Sequence, residues 1–94
     1  MNYDDINNAL TNHFSILWTD EARQDIIDNF GKETYSFVTK IVAEGGNSHI
    51  WGENNPEFSH KQTILDLKKE YPFLTRASLI KAADSAAYFW KQDS

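Results

Sequence analysis

The sequence contains no cysteine, and it has only two prolines and four glycines among its 94 residues. Without cysteine the chain forms no disulfide, offers no thiolate for catalysis and lacks the usual ligands of a zinc finger. Its longest uninterrupted apolar run is the five-residue segment from Ala86 to Trp90. A helix that crosses a bilayer needs about 20 apolar residues, so no segment is predicted to span a membrane.

The N-terminal segment from Met1 to Asn8 has neither a basic start nor an apolar stretch. This composition argues against a secretory signal, and we therefore expect a cytoplasmic protein. A chain of this length can bury roughly 60–68% of the surface that it exposes when unfolded. Its three Trp, four Tyr and six Phe are enough for an ordinary core. The prediction is a single helical domain over residues 1–94.

The net charge of −5 is distributed unevenly along this small acidic protein. Residues 1–58 carry ten acidic and three basic side chains, whereas residues 59–94 carry four acidic and six basic ones. An ordinary solvated surface accounts for such an asymmetry by chance. The alternative is an acidic front half that meets a basic partner.

Residues 59–90 predict two helices with a break between them. Ser59 and Gln62 have the spacing of a capping box, in which each side chain satisfies an unpaired N–H of the first turn. Pro72 has no N–H to donate and disfavours the helical conformation of the residue before it. The first helix is therefore expected to begin at Ser59 and to end at about Tyr71. Leu65 lies well away from the apolar face of this helix.

The second helix of the pair is expected to begin at about Arg76, with Thr75 as its N-cap. Its buried face is predicted to be a line formed by Leu79, Ala83, Ala86 and Trp90. Four alanines in this helix permit a close approach by another helix, either inside the monomer or across a homodimer. These are Ala82, Ala83, Ala86 and Ala87. A homodimer through the last helix is therefore a possible assembly.

The front half predicts two further helices. Residues 2–18 place apolar side chains at helical spacing, and His13 falls within that stripe. A histidine in such a position is more often a core or boundary residue than a catalyst. Thr19 is the expected N-cap of the next helix, and Gly31 is its expected left-handed stop.

Residues 32–44 fit either a helix or a strand, and this choice decides the fold class. A helix would end at Gly45 and Gly46. The alternative is an α+β fold with a β-hairpin at 34–51, because the run TYSFVTKIV is rich in residues that favour strands. We predict the helix, and with it an all-α bundle of four to five short helices with one longer loop at 45–58.

The sequence shows no arrangement typical of catalysis. It has no glycine-rich phosphate loop, nucleophile elbow or HExxH motif. One cluster contains residue types that bind metals: His49, Glu53, Glu57 and His60. Its spacing matches no metal signature, so these are predicted to be surface polar residues. We predict no metal, no cofactor and no enzyme activity.

The favoured prediction is an accessory or regulatory protein that binds another protein of unknown identity. Four aromatic side chains are predicted to bind the partner: Trp51, Phe58, Tyr88 and Phe89. Aromatic residues left outside a core are enriched at binding surfaces. If Trp51 instead folds inward, its loop is expected to cover the helix pair.

The alternative function is a helix-turn-helix-like, nucleic-acid-binding regulator that uses residues 59–91. Arg76, Ser78 and Lys81 lie near the start of the second helix, where a recognition helix meets the bases. Affinity for DNA depends largely on a concentrated basic surface, and this chain is acidic overall. Nucleic acid is therefore the less favoured partner.

Overall fold

The computed structural model describes residues 2–14, 19–46, 51 and 55–93, except for the side chains of residues 89–93. The described part of the chain contains five α-helices: α1 (Tyr3–Asn8), α2 (Asp20–Phe30), α3 (Lys32–Gly46), α4 (Pro56–Glu70) and α5 (Arg76–Asp93). A π-helical turn, Ala9–His13, continues α1.

The all-α prediction is confirmed, since no strand occurs in the described ranges. Helix α3 occupies most of the segment where the alternative placed a β-hairpin, so the α+β alternative is wrong. The buried positions Thr34, Val38, Ile41 and Gly45 lie three or four residues apart, which is the helical period. Of the helices described, none combines the length and the apolar character needed to cross a bilayer.

Three of the predicted helix boundaries are confirmed. The Thr19 hydroxyl accepts a hydrogen bond from the Ala22 N–H at 3.2 Å, and the Thr75 hydroxyl accepts one from the Ser78 N–H at 3.2 Å. Both threonines thereby satisfy a first-turn donor that has no partner within its helix. Gly31 ends α2 with a φ of 95°, a conformation that side chains disfavour.

Helix α4 begins three residues before the predicted start. Asn55 is its N-cap, and the Asn55 Oδ1 accepts a hydrogen bond from the Phe58 N–H at 2.8 Å. Pro56 takes the first helical position, where the missing N–H has no cost. Ser59 is fully buried within the helix, so its prediction as the N-cap was wrong. The end of α4 at Glu70 agrees with the prediction.

One hydrophobic cluster draws on all five helices, the π-helical turn and the segment that joins α4 to α5. Its buried members are Ile6, Ala9, Leu10, Phe14, Ile26, Val38, Ile41, Leu67, Tyr71, Leu74, Leu79 and Ala82. Helix α5 packs against both α3 and α4. Helices α3 and α4 also approach closely at Gly45. A Cβ placed on this glycine would lie only 3.3 Å from the Thr63 Cγ2.

The alanines of α5 are used inside the monomer. Ala82, Ala83 and Ala86 are all buried in the isolated chain. These three alanines pack within the monomer, whereas Ala87 is half-buried, and a homodimer through the last helix stays a prediction. The side chain of Trp90, the fourth member of the predicted line, lies outside the described part of the chain.

Asn7 joins α1 to the segment between α4 and α5. Its Nδ2 donates to the Phe73 carbonyl at 3.1 Å. Its Oδ1 accepts from the Thr75 N–H at 2.9 Å and from the Ser78 hydroxyl at 2.7 Å. Asparagine is a weak helix former, and only the fold shows why one stands here. This single amide satisfies donors and an acceptor from residues more than sixty positions away.

Candidate binding surface

Two large apolar side chains lie exposed on the outer face of α4. Leu65 is 62% exposed and Phe58 is 48% exposed. They are seven residues apart, so they lie on the same side of the helix, about 10 Å from each other along its axis. Tyr3 is the other large hydrophobic residue that is exposed in the described chain, and its ring stacks on Phe73 at 4.0 Å.

The inner face of α4 is small and partly polar. Ser59 and Thr63 are 0% and 2% exposed, and Leu67 is the large apolar residue buried beside them. The Thr63 hydroxyl is buried without a hydrogen-bond partner. A helix packed on a core normally buries its large apolar residues and exposes its polar ones. On α4 this distribution is partly reversed, because the hydroxyl residues are inside and two large apolar residues are outside.

A groove of about 310 Å³ lies beside Leu65 and is open to solvent. Ile64 and Leu65 from α4 provide its apolar part, while Lys61 and Arg76 line it with cations. Arg76 is the first residue of α5, so the groove spans the junction of the two helices. An apolar side chain that entered this groove would have a positive charge close by.

The cations around the groove are available for a partner. Lys61, Lys69 and Arg76 are exposed, and none of them forms a salt bridge with any described residue. Lys61 and Lys69 each lie one turn of helix from Leu65. Lys68 differs, because its Nζ donates to the Pro72 carbonyl at 3.3 Å. We define the α4 outer surface as Phe58, Lys61, Ile64, Leu65, Lys69 and Arg76.

The four aromatic residues predicted to bind a partner have different positions in the structure. Phe58 lies on the α4 outer surface. Trp51 is only 2% exposed, and its indole N–H donates to the Gly45 carbonyl at 3.0 Å. Trp51 therefore packs inward and is not an exposed contact. Tyr88 is half-buried on α5, and the side chain of Phe89 lies outside the described part of the chain.

The three residues proposed to read DNA bases do not form one accessible set. Arg76 is exposed and Lys81 is half-buried, but Ser78 is fully buried. The Ser78 hydroxyl already donates to the Asn7 Oδ1. Ser78 is therefore a structural residue at the start of α5, and its assignment as a base-contacting residue was wrong.

Two residues of the candidate metal cluster, Glu57 and His60, lie within the described part of the chain. Glu57 is exposed in the first turn of α4, and the His60 Nε2 lies 2.8 Å from the Asp84 Oδ1. His49 and Glu53 lie outside the described residues. Among the residues that are described, no three metal-binding side chains come together.

Two histidine–aspartate pairs connect successive elements at their edges. His60 of α4 meets Asp84 of α5, and the His13 Nδ1 lies 2.6 Å from the Asp25 Oδ2 of α2. The His13 ring also meets Phe30 edge-on, with ring centroids 5.0 Å apart. His13 is therefore the boundary histidine that the sequence predicted, half-buried between the π-helical turn and α2.

Tyr71 connects the end of α4 to α3. Its hydroxyl donates to the Glu44 Oε2 at 2.6 Å. Burial, reinforced by this carboxylate, raises the pKa of Tyr71 well above its ordinary value. The phenol is protonated at neutral pH, and the raised pKa keeps it a hydrogen-bond donor to α3 at alkaline pH as well.

A second groove, of about 400 Å³, runs along α3. It is lined by Lys32, Glu33, Ser36, Phe37 and Lys40. Its apolar part is the single ring of Phe37, which is half-buried and already meets Tyr71 edge-on with ring centroids 5.7 Å apart. This groove has one large apolar side chain, which is half-buried, whereas Phe58 and Leu65 of the α4 outer surface are both exposed.

The sequence indicated that Phe58 contacts a partner and that Leu65 lies away from the buried face of its helix. It gave no indication of the groove. The groove exists because the start of α5 brings Arg76 beside α4, and no local pattern specifies that packing.

A scan against protein-family models found no match for this chain, and searches of the curated proteins and of the solved structures found none either.

Proposed function

We propose that this protein is a small accessory or regulatory protein that binds another protein through the α4 outer surface. The observation that carries the proposal is the exposure of Leu65 and Phe58 on a helix that buries Ser59 and Thr63. Burying a large apolar side chain contributes about 1.5–3 kcal/mol. The monomer obtains only part of that gain from these two residues, whereas a bound partner would supply the rest.

The proposed role is binding without catalysis, and the proposed location is the cytoplasm. Both proposals rest on the composition of the sequence, which carries no catalytic motif and no cysteine.

The alternative is a nucleic-acid-binding regulator that uses residues 59–91. The exposed cations Lys61, Lys69 and Arg76 support it, because each can neutralise a phosphate. The exposed Leu65 among them favours a protein, since a phosphate backbone offers no apolar surface to cover it. A gel shift at low salt distinguishes the two proposals, because the protein-binding proposal expects no retardation of DNA or RNA.

The proposal is tested by quantitative affinity purification from the source cells with three forms of the chain. These are the wild type, Leu65→Ser on the α4 outer surface, and Ala43→Ser as a matched control at an exposed position of α3. We expect at least one protein to be retained by the wild type and the control and lost with Leu65→Ser. Recovery of the same proteins with all three forms would refute this surface, provided that circular dichroism shows all three to be folded.

A further inference from the structure

We infer that the partner presents an acidic amphipathic helix to the α4 outer surface. This inference rests on the proposed function and adds the chemistry of the partner segment. Two features of the surface support it, namely the spacing of its apolar residues and the charge around them. A third argument is that the described faces of a second copy fit this surface poorly.

The apolar residues form a stripe that a second helix can follow. Phe58 and Leu65 lie two turns apart along the outer face of α4, and Ile64 extends the apolar surface into the groove toward α5. A helix that lies against another helix meets it through apolar residues spaced by three or four positions. A partner helix with that pattern would cover both exposed side chains and place one residue in the groove.

The charge around the stripe selects an acidic partner. Lys61 lies between Phe58 and Leu65, Lys69 lies one turn beyond Leu65, and Arg76 lines the groove. In the described structure, none of these three cations has an acidic partner of its own. Carboxylates that flank the apolar residues of a bound helix would reach them, and complementary charges of this kind favour specific association.

A second copy of the chain fits this surface poorly. Two copies of α4 that packed face to face would bring Lys61 and Lys69 of one against the same cations of the other, and like charges oppose association. The acidic helix α2 carries Asp20, Glu21 and Asp28 at exposed positions, but it has no exposed large apolar residue to fill the groove. On these two described faces a second copy is the poorer match, so the inferred partner is a different protein.

An anionic membrane also fits poorly, although it too would attract lysine beside leucine and phenylalanine. Helices that bind membrane surfaces bury a broad apolar face and carry mainly basic residues on the other. Helix α4 offers only two large exposed apolar side chains, fewer than the broad apolar face that such a helix inserts into a membrane. The inferred partner is therefore a protein helix.

The test is a selection from displayed random peptides of about 16 residues, long enough for four turns of helix. The full chain is the bait. We expect the enriched peptides to be net negative, with apolar residues spaced by three or four positions. The best ones are then synthesised, and fluorescence anisotropy measures their affinity for the wild type and for its variants. Enriched peptides that are neutral or basic would overturn the inference.

Charge reversal supplies the decisive comparison. The double variant Lys61→Glu, Arg76→Glu should bind the selected peptides at least about tenfold more weakly and should lose most of the salt dependence. The matched control is Lys32→Glu, Lys40→Glu, which makes the same change of net charge on α3 and should bind as the wild type does. Equal affinity of the two double variants would overturn the acidic-partner inference.

Leu65→Ser separates this inference from the proposed function. If the selected peptides lose affinity for Leu65→Ser but are not acidic, the partner chemistry is wrong and the binding surface stands. If they bind Leu65→Ser as tightly as the wild type, both proposals fail. Both also fail if no peptide is enriched and vesicles containing phosphatidylserine retain the chain. No enrichment without vesicle binding overturns the acidic-helix inference alone.

Discussion

The two faces of α4 differ in a way that separates folding from recognition. The inner face of α4 contains Leu67 and the small hydroxyl residues Ser59 and Thr63. It packs closely on α3 at Gly45, where little room is left for a side chain. The outer face leaves Phe58 and Leu65 in solvent. Close approach of α3 and α4 favours small residues on the inside.

This difference teaches that burial alone does not identify the important residues of a small bundle. The inner face contributes to stability mainly through Leu67, and it carries the cost of the unpaired Thr63 hydroxyl. The outer face contributes little to the monomer, so its residues can change without unfolding the chain. Substitutions on the two faces should therefore separate stability from binding.

The largest effect is expected from Leu67→Ala on the inner face. Leu67 is almost fully buried in the core, so its truncation removes apolar contacts and leaves a cavity. The free energy of unfolding should fall by about 3 kcal/mol, within the range of 2–5 measured for such changes. Urea denaturation followed by circular dichroism measures this loss. A change below about 1 kcal/mol would show that the inner face is not the stabilising one.

A smaller loss of stability is expected from Thr63→Leu. The Thr63 Cγ2 already lies close to the backbone of α3 at Gly45, so a longer side chain would force the two helices apart. Overpacking of this kind costs about 1–3 kcal/mol. A midpoint of thermal unfolding equal to that of the wild type would show that α3 and α4 can accommodate the larger side chain between them.

Thr63→Val should act in the opposite direction. It keeps the shape of the side chain and removes a buried hydroxyl that has no hydrogen-bond partner. We expect a gain of about 1 kcal/mol in the free energy of unfolding, since an unsatisfied buried polar group costs that much or more. Denaturant titration of the two proteins side by side checks the sign. A loss of stability would mean that the hydroxyl has a partner, such as a buried water.

The smallest effect on stability is expected from Leu65→Ser. Leu65 is mostly exposed, so the free energy of unfolding should change by less than about 0.5 kcal/mol. The same substitution should abolish binding of the partner protein. A large loss of stability would place Leu65 among the folding residues and would remove the distinction between the two faces.

Local signals in the sequence predicted much of this fold. The Thr19 and Thr75 caps, the stop at Gly31 and the break at Pro72 each depend on residues within one or two turns. The predicted start of α4 was wrong because the sequence carries two competing cap signals. The helix begins after Asn55, which is followed by proline, and not at the capping box of Ser59.

The buried positions that were not predicted depend on contacts between distant segments. Thr63 is buried because α3 approaches α4 closely at Gly45, and the sequence gives no indication of that approach. Trp51 was predicted to contact a partner because it is an aromatic residue on a predicted loop outside the core, yet its indole N–H donates to a carbonyl of α3. The candidate surface was only partly predictable, since Arg76 reaches it from another helix.

The side-chain amide of Asn7 couples α1 to the start of α5. The Thr75 N–H donates to the Asn7 Oδ1 at 2.9 Å, so its hydrogen exchange should be slow only while α1 is docked. Fraying of the N-terminus would therefore remove a hydrogen-bond acceptor from the first turn of α5 and loosen Arg76 at the wall of the groove. A six-residue helix near the start of the sequence should therefore help to hold the start of α5, through a hydrogen bond between residues 68 positions apart.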